Sequence, residues 1–180
     1  MHYFPPMLRA GRLALVAPLA LALIGARPAS GDEGESALSV GLGFATFTIP
    51  DHGGAGAALG GEYERGLSDA FWLRASAAGS IYRGSDGEGA IAAGQGIVGL
   101  TYVVDVLKYV PYVHLGAGAV AIGGEGVDAE VHPVGEIGVG LDILSRRGLS
   151  YGPFARLQSF LDDSAFVSVG VRITWRWGFF

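Results

Sequence analysis

Near the C-terminus the chain alternates strictly. Val167, Val169, Val171, Ile173, Trp175, Trp177 and Phe179 interleave with Ser168, Gly170, Arg172, Thr174, Arg176 and Gly178. Successive side chains of an extended strand point to opposite sides of the pleat, so period two sorts these residues into one apolar and one polar face. A helix would scatter both sets around its axis. The segment therefore predicts a long strand, and a strand needs neighbours for the N–H and C=O groups along both of its edges.

The same period recurs upstream, between clusters of Gly, Asp and Ser, and no stretch beyond about residue 32 has the 3.6-residue period of an amphipathic helix. Strands are expected near 37–49, 57–65, 71–82, 91–104, 111–122, 129–143, 150–160 and 165–179. The connections, Pro50 to Gly56, Gly66 to Ala70, Arg83 to Ala90, Asp105 to Val110, Gly123 to Asp128, Leu144 to Gly148 and Leu161 to Ser164, are all short. Short connections favour a meander of antiparallel neighbours, and an even number of strands lets the sheet close and lose both edges. Each strand reaches or approaches the roughly 9–11 tilted residues that cross a bilayer core. The expected fold is all-β: an eight-stranded antiparallel up-and-down transmembrane β-barrel.

The N-terminus differs in kind. Arg9 and Arg12 precede the apolar run Leu13 to Ala26, which breaks at Pro28, Ala29, Ser30 and Gly31 and is followed by Asp32, Glu33, Gly34 and Glu35. The run is short against the roughly 20 residues of a spanning helix and lacks a positive stop-transfer flank, so residues 1–31 read as a cleavable signal peptide and 32–180 as the barrel domain. Cleavage after Gly31 or after Ala26 fits, and a retained membrane anchor is the alternative. Removing Arg9, Arg12 and Arg27 moves the balance from 12 basic and 17 acidic residues to 9 and 17, leaving −8. An acidic chain without a basic stripe is unsuited to nucleic acid. The absence of cysteine excludes disulfides and thiolate metal sites.

One alternate set is free of charge: Leu38, Val40, Leu42, Phe44, Leu59, Leu73, Ile81, Val98, Leu100, Val113, Leu115, Ile137, Val139 and Leu157, with the aromatics Tyr63, Phe71, Tyr102, Tyr151, Trp175, Trp177 and Phe179 near one end of their strands. Facing lipid, those rings would form an interfacial girdle at the end that carries both termini. The opposite set holds Glu62, Glu64, Arg74, His114, Glu136, Asp142, Arg156, Arg172 and Arg176. It also includes glycines, among which Gly41, Gly43, Gly60, Gly94, Gly96, Gly116, Gly118, Gly138, Gly140 and Gly170 would make room in a lumen that side chains fill. Taking register from the turns sets Glu62 opposite Arg74, Glu136 opposite Arg156, and Arg156 opposite Arg172. Glu136 would then be shared, or Glu62 or Glu64 would reach across the lumen. Glu62, Glu64, Arg74, Glu136, Arg156 and Arg172 thus form a lumen charge network, structural or gating.

Catalytic signals are weak. His52 is expected in a surface loop, His114 in the lumen and His132 beside Glu130 near the outer rim, with no His-x-Ser spacing to place a nucleophile beside a base. No catalytic residue, metal or cofactor is expected.

At this point the chain resembles the outer-membrane β-barrel superfamily, in its small eight-stranded OmpA/OmpX-type group. The resemblance rests on Thr101-Tyr102-Val103-Val104, on Val110-Pro111-Tyr112-Val113-His114-Leu115-Gly116-Ala117-Gly118, and on the ending Trp175-Arg176-Trp177-Gly178-Phe179-Phe180. It implies an integral protein of the bacterial outer membrane, monomeric, in contact with outer-membrane lipids and inserted by the barrel-assembly machinery through its C-terminal strand. Two departures from relatives narrow the expectation: the C-terminal peptidoglycan-binding domain of some is not expected, since the sequence stops with the last strand, and short outward loops make receptor or adhesion roles less expected. Three functions follow as expectations: a structural barrel with a polar, side-chain-filled lumen; a narrow gated channel for ions or small solutes; or a soluble secreted barrel binding an apolar ligand.

Overall fold

Eight strands follow one another in the computed structural model: β1 (Ser36–Ile49), β2 (His52–Gly66), β3 (Phe71–Gly84), β4 (Ala90–Val103), β5 (Tyr109–Gly124), β6 (Val127–Arg146), β7 (Leu149–Phe160) and β8 (Ala165–Trp177). The structure describes residues 34–49, 52–84, 89–104, 108–124, 127–146, 148–160 and 164–178. The segment 1–31 expected as a signal peptide lies outside them, and so do Phe179 and Phe180. Each strand pairs antiparallel with the next, and β8 pairs with β1, so the sheet closes into a barrel without edges.

The register sets its dimensions. Followed from Leu38 through Tyr63, Ala75, Val98, Ala117, Gly135, Ser159 and Ala165, it returns to β1 at Thr48, ten residues further on. With about 4.8 Å between strands and about 3.3 Å per residue, that stagger tilts the strands by about 40° and gives a backbone radius of about 8 Å. An interior of that width is just filled by side chains.

The strands run further into the hairpins than composition suggests. β2 begins at His52, paired with Ile49, where a loop to Gly56 was expected. The Gly-rich start of β2 looks like a turn on its own, but the Phe47 ring lies over Gly54 from the neighbouring strand and supplies the packing that glycine lacks. His52 is accordingly a strand residue. At the opposite end the turns are held by their own hydrogen bonds. Leu67 N and Ser68 N donate to Phe71 O at 2.8 and 3.1 Å, and Phe71 N donates to Ser68 Oγ at 3.2 Å. Gly148, at φ +81°, takes the left-handed turn between β6 and β7 and accepts a bond from Arg176 N at 2.7 Å. The β6–β7 ladder lapses between Gly140 and Ile143, opposite Gly152 and Pro153, where proline has no N–H to give. Asp142 sits at that lapse with its side chain turned inward.

The uncharged set faces outward. Val98 is 59% exposed, Leu115 62% and Val171 63%, whereas Glu62, Arg74, Glu136 and Arg172 are buried inside. This is the inverse of a soluble barrel and overturns the expectation of a secreted protein that shelters an apolar ligand. Two glycines were assigned to the wrong face. Gly94 and Gly96 share the parity of Val98 and are exposed on the outside, where a Cβ would meet open space.

Candidate functional site

The interior is the site, and it has two halves. Toward the end that carries both termini it is charged. Toward the other end it is apolar, with Ala45, Phe47, Tyr82, Ile91, Ala93, Ile97, Val120, Val134, Phe160 and Phe166 in one buried cluster. The expected polar filling therefore occupies only part of the lumen.

Glu62 on β2 is the hub of the charged half. Arg172 Nη1 on β8 donates to its Oε2 at 2.9 Å, Arg74 Nη2 on β3 stands 3.2 Å from the same oxygen, and Arg156 Nη2 on β7 donates to Oε1. Arg172 also grips Asp142 with a two-pronged contact, Nε to Oδ1 and Nη2 to Oδ2, each at 3.0 Å. The planar guanidinium fork matches a carboxylate in this way and holds it in one orientation. Arg176 Nη2 donates to the same Asp142 Oδ2 at 3.0 Å.

A second chain of contacts runs through β5, β6 and β7. His114 Nε2 and Glu136 Oε1 are 2.8 Å apart, and Gln158 Nε2 donates to Glu136 Oε2 at 2.6 Å. Glu64 accepts from Thr101 Oγ1 at 2.9 Å, and Ser39 and Thr174 hydroxyls meet at 2.8 Å. Aromatic faces carry part of the cationic charge: Arg172 lies 4.0 Å over the Tyr112 ring and Arg156 4.3 Å over Phe154. His114 and Tyr112 lie over Gly138 and Gly140 of β6, where a Cβ would collide with their rings.

The structure brings Glu62, Glu64, Arg74, Glu136, Arg156 and Arg172 into one interior; Glu62 and Arg74 meet as expected, though diagonally, and the register differs from the expected one. The register sets Glu64, not Glu62, opposite Arg74, and Gln158, not Arg156, opposite Glu136. Arg156 stands opposite Ser168 and Arg172 opposite Gly152, so the two arginines are not cross-strand partners. Arg156 and Arg172 reach Glu62 across the lumen, because a guanidinium on a long stem spans an interior this narrow, while Glu136 and Gln158 pair along the ladder. Four buried carboxylates, Glu62, Glu64, Glu136 and Asp142, meet four arginines, Arg74, Arg156, Arg172 and Arg176.

Outside, Tyr63, Phe71, Tyr102, Tyr151, Trp175 and Trp177 all project from the wall. Tyr63 packs near Trp177 with ring centroids 6.5 Å apart, and Phe71 near Tyr102 at 5.2 Å. Phe179, expected in the same girdle, lies outside the described residues. At the other mouth His132 Nε2 is 3.2 Å from Glu130 Oε2, and His132 meets Phe160 edge to face. Among the described residues no group of three or more His, Asp or Glu is placed to hold a metal.

A closed barrel with an apolar outer band, its outward arginines Arg65 and Arg83 confined to strand ends, and a self-paired interior has the architecture of the small eight-stranded barrels of bacterial outer membranes. The chain is similar in fold to Neisserial surface protein A, with a TM-score of 0.66 and 10% identity over 79% of this chain and 99% of that one. Against the outer membrane protein OprG from Pseudomonas aeruginosa the TM-score is 0.58, with 11% identity over 83% and 98%. Against Ail, the attachment invasion locus protein of Yersinia pestis, it is 0.56, with 17% identity over 81% and 99%. No protein-family model matches the chain, and no curated protein matches it in sequence.

Proposed function

We propose that this chain is an integral outer-membrane protein whose barrel is structural and closed at rest. In this reading the N-terminal segment 1–31 is a leader removed on export, the barrel is monomeric among outer-membrane lipids, and its last strand is what the barrel-assembly machinery engages. One observation carries the proposal: the outward wall is apolar while every carboxylate of the lumen network has a cationic or hydrogen-bonding partner within the barrel. Hydrocarbon solvates the first without cost, and charges are tolerated at membrane depth only when shielded and paired.

A narrow channel is the second reading. Two cavities beside the network, each with room for about one water at about 20 Å³, favour it. The membrane reading is tested by migration on a denaturing gel of protein extracted from membranes, with and without boiling. A band that shifts on boiling supports a closed membrane barrel. Release into plain buffer with no shift would overturn it.

A further inference from the structure

The charged network is the obvious place to look for a gate, but the stacking of layers along the lumen points elsewhere. From His114 a polar path runs through Glu136 to Gln158, which lines the first cavity together with Ser80, Gln95 and Ser168. The second cavity shares Gln95 and Ser168 with it and opens on Glu62 and Arg156. Arg156 Nε, buried here, has no hydrogen-bond acceptor among the described residues. Polar and exchangeable groups thus reach from the charged half to mid-barrel.

There they stop. Tyr82 and Phe166 form the far wall of the first cavity. Phe166 packs on Tyr82 at 5.5 Å, on Phe160 at 5.2 Å and on Phe47 at 5.9 Å, and Phe47 meets Tyr82 edge to face at 4.9 Å. Ile91, Val120 and Val134 fill the remaining perimeter of this half.

We infer that these four rings, Phe47, Tyr82, Phe160 and Phe166, are the seal of the lumen, and that the salt bridges are not. A hydrophobic constriction blocks passage by staying dry, whereas a layer of paired charges beside water-sized spaces can pass protons by exchange between neighbouring groups. This rests on the reading of the chain as a closed membrane barrel.

The test measures proton entry into phosphatidylcholine–phosphatidylglycerol vesicles loaded with a pH-sensitive dye and carrying the full-length barrel, its folded state checked by the boiling shift. Phe160→Ser with Phe166→Ser should raise proton flux at least tenfold over wild type, while Glu136→Gln leaves it at the wild-type level. Should the double variant not fold, Phe166→Ala alone serves, with a smaller rise in the same direction. Flux unchanged in the ring variants, or raised only by Glu136→Gln, would overturn the seal while leaving the membrane barrel intact. Protein that stays in the aqueous phase and never enters the vesicles would overturn the membrane reading and the seal with it.

Discussion

Replacing Glu62 by glutamine keeps its size and removes the one carboxylate on which three arginines converge. The loss is not shared evenly. Arg172 retains both contacts to Asp142, at 3.0 Å each, and Arg74 retains Glu136 at 3.8 Å. Arg156 has Glu62 as its carboxylate partner, so it is left buried over Phe154 with nothing to balance its charge. Breaking a buried pair by removing one partner costs about 3–5 kcal/mol. Because the glutamine carbonyl can still accept one hydrogen bond, Glu62→Gln should fall near the lower end, at about 3 kcal/mol. The assay is urea unfolding of the barrel from phospholipid vesicles, followed by tryptophan fluorescence from Trp72, Trp175 and Trp177. Glu130→Gln, which removes an exposed partner of His132, is the control and should cost less than about 1 kcal/mol. Combining Glu62→Gln with Arg156→Met removes the stranded charge, so the double variant should be less destabilised than the two single costs added together. A Glu62→Gln barrel within about 1 kcal/mol of wild type would refute the idea that Glu62 holds the interior charges in place.

Val98→Arg puts a charge in the middle of the outward wall and should cost about 2–4 kcal/mol in a bilayer, measured by the same unfolding assay; a neutral result would mean that the wall does not face lipid. Gly140→Ala drives a methyl into the Tyr112 ring and should destabilise by about 1–3 kcal/mol, whereas Gly94→Ala, with open space around its Cβ, should be neutral or slightly stabilising; equal effects would show that the interior glycines are not there to make room.

Parity was the most legible part of the fold. The series ending at Trp177, and its counterparts on the other strands, put the lipid-facing and luminal residues on the correct sides almost everywhere, because a shift of one residue would expose the whole charged set. Gly94 and Gly96 went astray because glycine has no side chain to declare its face, although Val98 in the same strand carries the parity. Register was less legible. A difference of two residues in the Gly66–Phe71 turn decides whether Glu62 or Glu64 stands opposite Arg74, and parity is blind to a shift of two. Arg156 and Arg172 meet Glu62 across the lumen; facing arginines already call for a carboxylate from β2, but which of Glu62 and Glu64 supplies it depends on that register. The aromatic half was written in the chain as well. Phe47, Tyr82, Phe160 and Phe166 share the inward parity at the same end of four strands, but where the lumen is apolar both faces of a strand are, and the alternation that marks a face fades.

The order in which the interior partners occur along the chain has a consequence for assembly. Glu62 and Glu64 come early, Asp142 and Arg156 late, and Arg172 and Arg176 belong to the final strand, whose pairing with β1 closes the sheet. A barrel that stopped at seven strands would hold Asp142 without either of its arginines and Glu62 without one of its three. Such an intermediate could not rest in hydrocarbon, where unpaired charge and open strand edges are both costly. Closing the sheet and neutralising its interior are thus one event: the strand that removes the last open edges also brings Arg172 and Arg176 to Asp142 and Arg172 to Glu62.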